Sequence, residues 1–225
     1  MSEVTTRGRL LDEAERLFAD RGYDEVPVRE IAAAADANLA AINYHFQGKE
    51  NLYNEVLRRR IVPKRDKMIA ALGGVDQLDD TANRLEAVLR IFVTVHLEDA
   101  LLGPGGARGI RVISREMSDP RHGARIILHE LIEPLRERVM VLLANSAPEL
   151  DQRGRMLLMG SVMGQIIHFA MNWHNMKTNP SHPAGACAPL PAIADDLETY
   201  ITVVIEHVTR FAVAGAEAMR KEARS

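Results

Sequence analysis

VREIAAAADANLAAINYHFQGKENLY, residues 28–53, is the stretch that decides how this chain folds. Val28, Ile31, Ala32 and Ala35 recur at helical spacing and mark a short apolar stripe. Pro27 sits where a first helical turn tolerates it. Asp36-Ala37-Asn38 breaks the pattern, and Asn38 is a good N-cap for the next segment because its side-chain oxygen accepts from a first-turn N–H. Leu39, Ile42 and Phe46 are the inward positions of a third short helix that ends near His45. Gly48 interrupts, and a longer helix opens at Lys49-Glu50 with Leu52, Val56 and Leu57 inward. Pro63 is expected to end or kink it. Upstream, Leu10, Leu11, Ala14, Leu17 and Phe18 predict a helix over about residues 5–21, with Gly22 as its stop. Two short helices joined by a tight turn and packed on a third form a helix-turn-helix. Small residues from Ala32 to Ala35 let the pair cross closely. A helix fits the major groove, where base edges carry a readable pattern of donors and acceptors.

Beyond Gly73-Gly74 the pattern stays helical almost to the end. Residues 81–101 carry Leu85, Val88, Leu89, Phe92 and Val95 on one face. The stretch GPGGARG at 103–109 reads as a break, and a helix then runs to Met117. Ser118-Asp119-Pro120 punctuates before another helix through about Ala144, bent at Pro134. Helices at 151–175 and 193–219 follow, joined by the Pro/Gly-rich TNPSHPAGACAPLP. No alternation of the strand type stands out, and there is no internal repeat. The expectation is an all-α chain: a three-helix helix-turn-helix DNA-binding domain over 1–50 and a larger helical domain over 51–225.

Composition agrees with a globular helical protein. The chain of 225 residues is 47% hydrophobic, 26% charged and only 4% aromatic. A single cysteine, Cys187, allows no disulfide within the chain and fits a reducing cytoplasm. The first residues carry acids inside their apolar pattern, unlike a signal peptide. No uninterrupted apolar run reaches the roughly 18 residues of a membrane span. The net charge of −3 does not advertise a nucleic-acid partner. Residues 1–60 hold nine Lys and Arg against eleven Asp and Glu, a net −2. A case for DNA therefore rests on where particular residues sit.

Those residues resemble the DNA-binding signature of the TetR family of repressors. The likeness lies in the Ile31-Ala32 pair, the aromatic-rich Asn43-Tyr44-His45-Phe46, the Gly48-Lys49-Glu50 opening and the Phe18, Gly22-Tyr23 ending of helix one. NLAAINYHF, and more loosely SREMSDP, ELIEPL and GSVMGQIIHF, look like the CecR-type branch. The resemblance implies a cytoplasmic homodimer on palindromic operator DNA, with a small-molecule effector, no cofactor and no catalysis. Its last two long helices would make a four-helix bundle with the partner's, and the stripe Leu197, Ile201, Val204, Ile205, Val208 and Phe211 is the buried face expected there. Carried over by position, Arg29 reaches a base or phosphate. Leu39, Ala40, Ala41, Asn43 and Tyr44 form the groove-facing surface, with Asn43 suited to adenine and the alanines to a thymine methyl. Tyr44, His45 and Lys49 match phosphate contacts, Lys49 reinforcing the N–H groups of a helix start. Leu39 is thus assigned inward by periodicity and outward by resemblance. Pro27 stands where the family usually has Ser or Thr, so that hydroxyl contact is lost, and Asn43 replaces a more usual aromatic.

Plainer readings stand beside these. Tyr44 and His45 also suit an ordinary helix end half packed on its domain, and Arg58-Arg59-Arg60 suits a solvated face better than a phosphate patch. In the rest of the chain His96, Arg115, His129, Met163, Gln165, His168 and Trp173 are the effector-binding candidates, Gln165 and His168 sharing a helix face. Methionine adapts its shape, so a Met-rich pocket suits an apolar or aromatic ligand, although such methionines also fill cores and interfaces. His122, His129, His168 and His174 have no zinc spacing, and no metal is expected. There is no phosphate loop, nucleophile elbow or HExxH. The rival reading is a helical small-molecule-binding protein, or an enzyme, with a vestigial DNA head.

Overall fold

A computed structural model describes residues 5–103, 106–178 and 196–223; Cys187 and most of the Pro/Gly-rich stretch lie outside them. The described residues are helical, without a strand. The elements are α1 (Thr6–Arg21), α2 (Val28–Ala34), α3 (Leu39–Phe46), α4 (Lys49–Leu72), a 3₁₀ turn (Val75–Gln77), α5 (Thr81–Leu102) and α6 (Gly106–Ser118). After them come α7 (Ala124–Ile127), a π-helical turn (Leu128–Ile132), α8 (Glu133–Ser146), α9 (Gln152–Thr178) and α10 (Leu197–Ala223).

Local chemistry sets most of the boundaries. Thr5 caps α1 by accepting from the Gly8 N–H at 3.2 Å, and Gly22 ends it at φ +86°, its N–H bonded to the Phe18 carbonyl. Asn38 caps α3 by accepting from the Ala40 N–H at 2.9 Å. Pro27 occupies the N-cap position of α2, just outside the helix, and makes no capping bond. Two proline expectations resolve differently. Pro63 does not end α4, which continues to Leu72. Near Pro134 the helix widens into the π turn. Proline has no N–H, so the Glu130 carbonyl loses its usual helical donor, and the Arg65 guanidinium donates to it at 3.1 Å. The break expected over 103–109 is shorter, because α6 already begins at Gly106.

The chain divides into two compact units, 1–65 with 105–134, and 66–104 with 135–225. The division differs from a cut at residue 50 because α6 packs on α1. In the first unit Leu10, Phe18, Ile31, Ile42, Leu52 and Val56 are buried. Phe18 and Tyr53 meet edge to face with ring centroids 4.9 Å apart. Glu116 of α6, only 4% exposed, accepts from the Tyr53 hydroxyl at 2.8 Å and from the Gly123 N–H at 2.9 Å. A Cβ on Gly123 would lie 2.1 Å from Leu57 Cδ1 and 3.1 Å from Tyr53 Cε1, so any larger residue there would force the Leu57 side chain to move. In the second unit α5, α9 and α10 pack mutually, burying Leu85, Val88, Leu89 and Phe92 from α5 and Ile201, Val204 and Val208 from α10.

Replacing Glu116 by alanine strands a buried hydroxyl and a buried amide at once. Denaturant unfolding should show a loss of about 2–4 kcal/mol for Glu116→Ala and about 1 kcal/mol for Tyr53→Phe. Equal, near-zero losses would show that Glu116 is not the tie between α4 and α6.

Candidate nucleic-acid interface and effector residues

Eight residues of α3 present two faces. Ile42 and Phe46 are buried against the rest of the first unit. One turn round the helix, Leu39 (47% exposed), Ala40, Asn43 and Tyr44 (82% exposed) all face outward. Leu39 therefore lies on the outer face, and its assignment as an inward position is corrected. Steps of one, three and four residues bring these four to one side of a helix. Ala41 and His45 flank them half-buried, His45 edge-on to Tyr44 with centroids 4.9 Å apart. An exposed tyrosine and leucine beside two small residues make a smooth, partly apolar surface with one amide in it.

The turn before α3 is held in place from α1. Arg9 donates through Nε to the Ala35 carbonyl at 3.0 Å, and Asp36 adopts φ +47° to turn the chain. At the other end Gln47 takes the left-handed conformation and bonds back to the Asn43 carbonyl. Gly48, at φ +132°, then leads into α4, a conformation that favours glycine. Lys49 is the first residue of α4, half-buried, with its ammonium 4.2 Å from the centre of the Tyr23 ring. Burial pushes the Lys49 ammonium below its ordinary value, and Asp24 opposes that shift. Burial also raises the Tyr23 hydroxyl, helped by Glu50 and Asp24. Arg29 is exposed on α2.

The arginine run of α4 is engaged elsewhere. Arg58 makes a two-pronged pair with Glu130 at 2.9 and 3.1 Å, Arg59 pairs with Asp12 at 2.5 Å, and Arg60 pairs with the buried Glu15. Arg7 pairs with Glu55 at 2.7 Å and lies over Phe46. Two residues that spacing did not single out matter here, Arg9 and Tyr23. Their roles depend on partners far along the chain; only the Gly22-Tyr23 ending of α1 hinted at the second.

The effector candidates divide between the units. Arg115 and His129 belong to the first: Arg115 is exposed, its guanidinium against Gly22 and donating to the Asp20 carbonyl at 3.4 Å, and His129 bonds Glu133 at 2.7 Å. His96, Met163, Gln165, His168 and Trp173 belong to the second. His96 is buried and bonds the Phe92 carbonyl at 2.9 Å, while Trp173 is buried against Tyr200 with centroids 4.5 Å apart. Burial raises the Tyr200 hydroxyl to about 12, and that hydroxyl donates to the Phe169 carbonyl. Met163 and Gln165 are half-buried on α9; His168 is exposed and bonds Asn172 at 2.8 Å. An open hollow at the start of α9, lined by Asp151, Gln152, Arg153, Met156 and Leu157, contains none of the seven. Among the described residues no three of His, Cys, Asp and Glu gather as a metal site. No helix of the described residues is long and apolar enough to cross a membrane.

Comparison with known proteins places the first unit. Residues 10–56 match the family of bacterial regulatory proteins, tetR family. The HTH-type transcriptional repressor Rv1474c of Mycobacterium tuberculosis is 33% identical over 94 residues, 38% of this chain and 50% of that protein. The HTH-type transcriptional repressor KstR2 of the same species is 36% identical over 87 residues, 39% of this chain and 40% of that protein. The chain thus spans half or less of the length of these relatives. The solved structure of the fatty acid degradation regulator FadR from Bacillus halodurans superposes with a TM-score of 0.61, covering 92% of this chain and 97% of that one at 17% identity, which speaks to fold alone. Over residues 10–56, then, the chain is similar to the tetR family of bacterial regulatory proteins.

Proposed function

We propose that this chain is a ligand-responsive transcriptional repressor that binds palindromic operator DNA as a homodimer and releases it when a small molecule binds. The observation that carries the reading is the outer face of α3, where Leu39, Ala40, Asn43 and Tyr44 stand exposed while Ile42 and Phe46 anchor the helix. Such a face fits a major groove, with Asn43 suited to the N6 and N7 edge of adenine and the alanines to a thymine methyl. Arg29, Tyr44, His45 and Lys49 supply phosphate contacts around it. The relatives named as repressors support repression.

Two recognition helices must sit about one duplex turn, roughly 34 Å, apart to read a palindrome, so a dimer is part of the reading. The surface we assign to it is on α9 and α10, where Met156, Leu157, Ile167, Val203 and Phe211 (58%) are exposed on the single chain. A Cβ added at Gly160 or Gly164 of α9 would meet nothing, which leaves room for a partner helix to come close. Two such helix pairs make a four-helix bundle. We place the effector in the second unit, near Met163, Gln165 and His168, and read it as apolar or aromatic. A ligand that prefers a protein conformation unsuited to DNA lowers operator affinity by that difference in affinity. Helix α4, continuous from Lys49 to Leu72, is the element we assign to carry the change. No catalytic step is assigned, and the protein is read as cytoplasmic, where its operator is.

Three measurements test this. With a fluorescein-labelled duplex selected from a random pool by the wild-type chain, Lys49→Ala and Tyr44→Ala should each weaken binding about tenfold, and Lys49→Ala should lower the slope of log affinity against log salt by about one. Unchanged affinity in both would remove α3 and α4 from the interface. Phe211→Glu should shift the sedimenting species from dimer toward monomer; a dimer of wild-type stability would place the interface elsewhere. Gln165→Leu and His168→Leu should change the response to a ligand found by thermal shift while ligand-free DNA affinity stays. A wild-type response in both would take these residues out of the effector site.

A further inference from the structure

Lys49 occupies an electrostatically awkward place. A cation in the first turn of a helix faces the positive end of the helix dipole, and a four-carbon stem leaves the ammonium many positions in water. The structure gives it one position, above the Tyr23 ring. The negative face of an aromatic ring attracts an ammonium within about 6 Å of its centre. Lys49 Nζ lies at 4.2 Å, inside that range.

The ring itself is held from several sides. Phe18 stacks on it at 5.9 Å with a 21° tilt, Tyr53 meets it edge-on at 5.1 Å, and His122 lies 3.9 Å away at 31°. His122 is in turn hydrogen-bonded to Asp24 at 3.1 Å. A platform fixed in this way is in place before any DNA arrives. Because a ring face takes up only part of the hydration shell of an ammonium, the three N–H donors of Lys49 still have directions left for phosphate oxygens.

Resting on the reading of α3 and the start of α4 as a DNA interface, we propose that Tyr23 is a positioning residue for DNA binding: its ring holds the Lys49 ammonium ready for a backbone phosphate. Tyr23 touches no DNA in this account and acts through Lys49. The benefit is entropic, since a side chain already confined loses less freedom when the phosphate contact forms. The platform needs a π face and not a hydroxyl, so phenylalanine replaces tyrosine and leucine does not.

The test is a double-mutant cycle on the selected duplex, read by anisotropy over a salt series. Tyr23→Phe should bind within twofold of wild type. Tyr23→Leu should weaken binding roughly three- to tenfold, and the same change made on a Lys49→Ala background should add no further loss. Equal losses on both backgrounds would show that Tyr23 serves the fold alone and would overturn the proposal. If Lys49→Ala binds as tightly as wild type, the phosphate contact assigned to Lys49 falls and the proposal falls with it. Loss in Lys49→Ala with additive behaviour of Tyr23 overturns only this inference. A second measurement does not depend on the leucine variant folding: in the wild-type chain the Lys49 ε-methylene protons should show an upfield ring-current shift that Tyr23→Phe keeps. Random-coil shifts for those protons would remove the platform.

Discussion

A helix of eight residues has almost no stability of its own in water, because nucleation consumes most of what its few hydrogen bonds return. Helix α3 exists because Ile42 and Phe46 are buried, and that burial also sets its rotation about its own axis. The remaining side chains have no choice of direction. Leu39, Ala40, Asn43 and Tyr44 face outward because the other side of the helix faces the core. The cap at Asn38 and the left-handed Gln47 mark its two ends. Slipping the inward pair by one position would swing the outer face by about 100°, a full turn being 3.6 residues.

Electrostatics around that helix is local. A net −3 chain with an acidic N-terminal segment is a poor candidate for DNA on charge alone. Arg58, Arg59 and Arg60 are matched by Glu130, Asp12 and Glu15, and Arg7 by Glu55, one cation engaged for each anion. Most of these pairs are exposed and add little stability each. The Arg60–Glu15 pair differs, Glu15 being only 3% exposed, so removing either partner would leave a buried charge uncompensated. Lys49 stands apart from that network, on an aromatic face.

The second unit is built by other means. Its core is mostly aliphatic, with Phe92, Trp173 and Tyr200 buried in it, α5, α9 and α10 are in mutual contact, and its polar candidates are mostly bonded along their own helices. His96 bonds one turn back to Phe92, and His168 one turn on to Asn172. Met156, Leu157 and Ile167 on α9 and Val203 and Phe211 on α10 remain exposed.

The sequence by itself determined the all-α class, the helix-turn-helix and the boundaries of the first three helices. Those depend on neighbours within a turn or two: caps at Thr5 and Asn38, the stop at Gly22, the apolar spacing of α1 to α4. It also carried the likeness to the tetR family, because the match lies on the contiguous residues 10–56. Only the tertiary structure decided that Leu39 faces out, that α4 runs through Pro63, that α6 joins the first unit, and that Arg9 and Tyr23 brace the turn and Lys49. It likewise assigned Arg115 and His129 to the first unit and the other five effector candidates to the second. The reason is physical: periodicity reports which residues share a helix face, but which face is buried, and which distant side chain meets a given charge, depends on contacts between residues tens of positions apart.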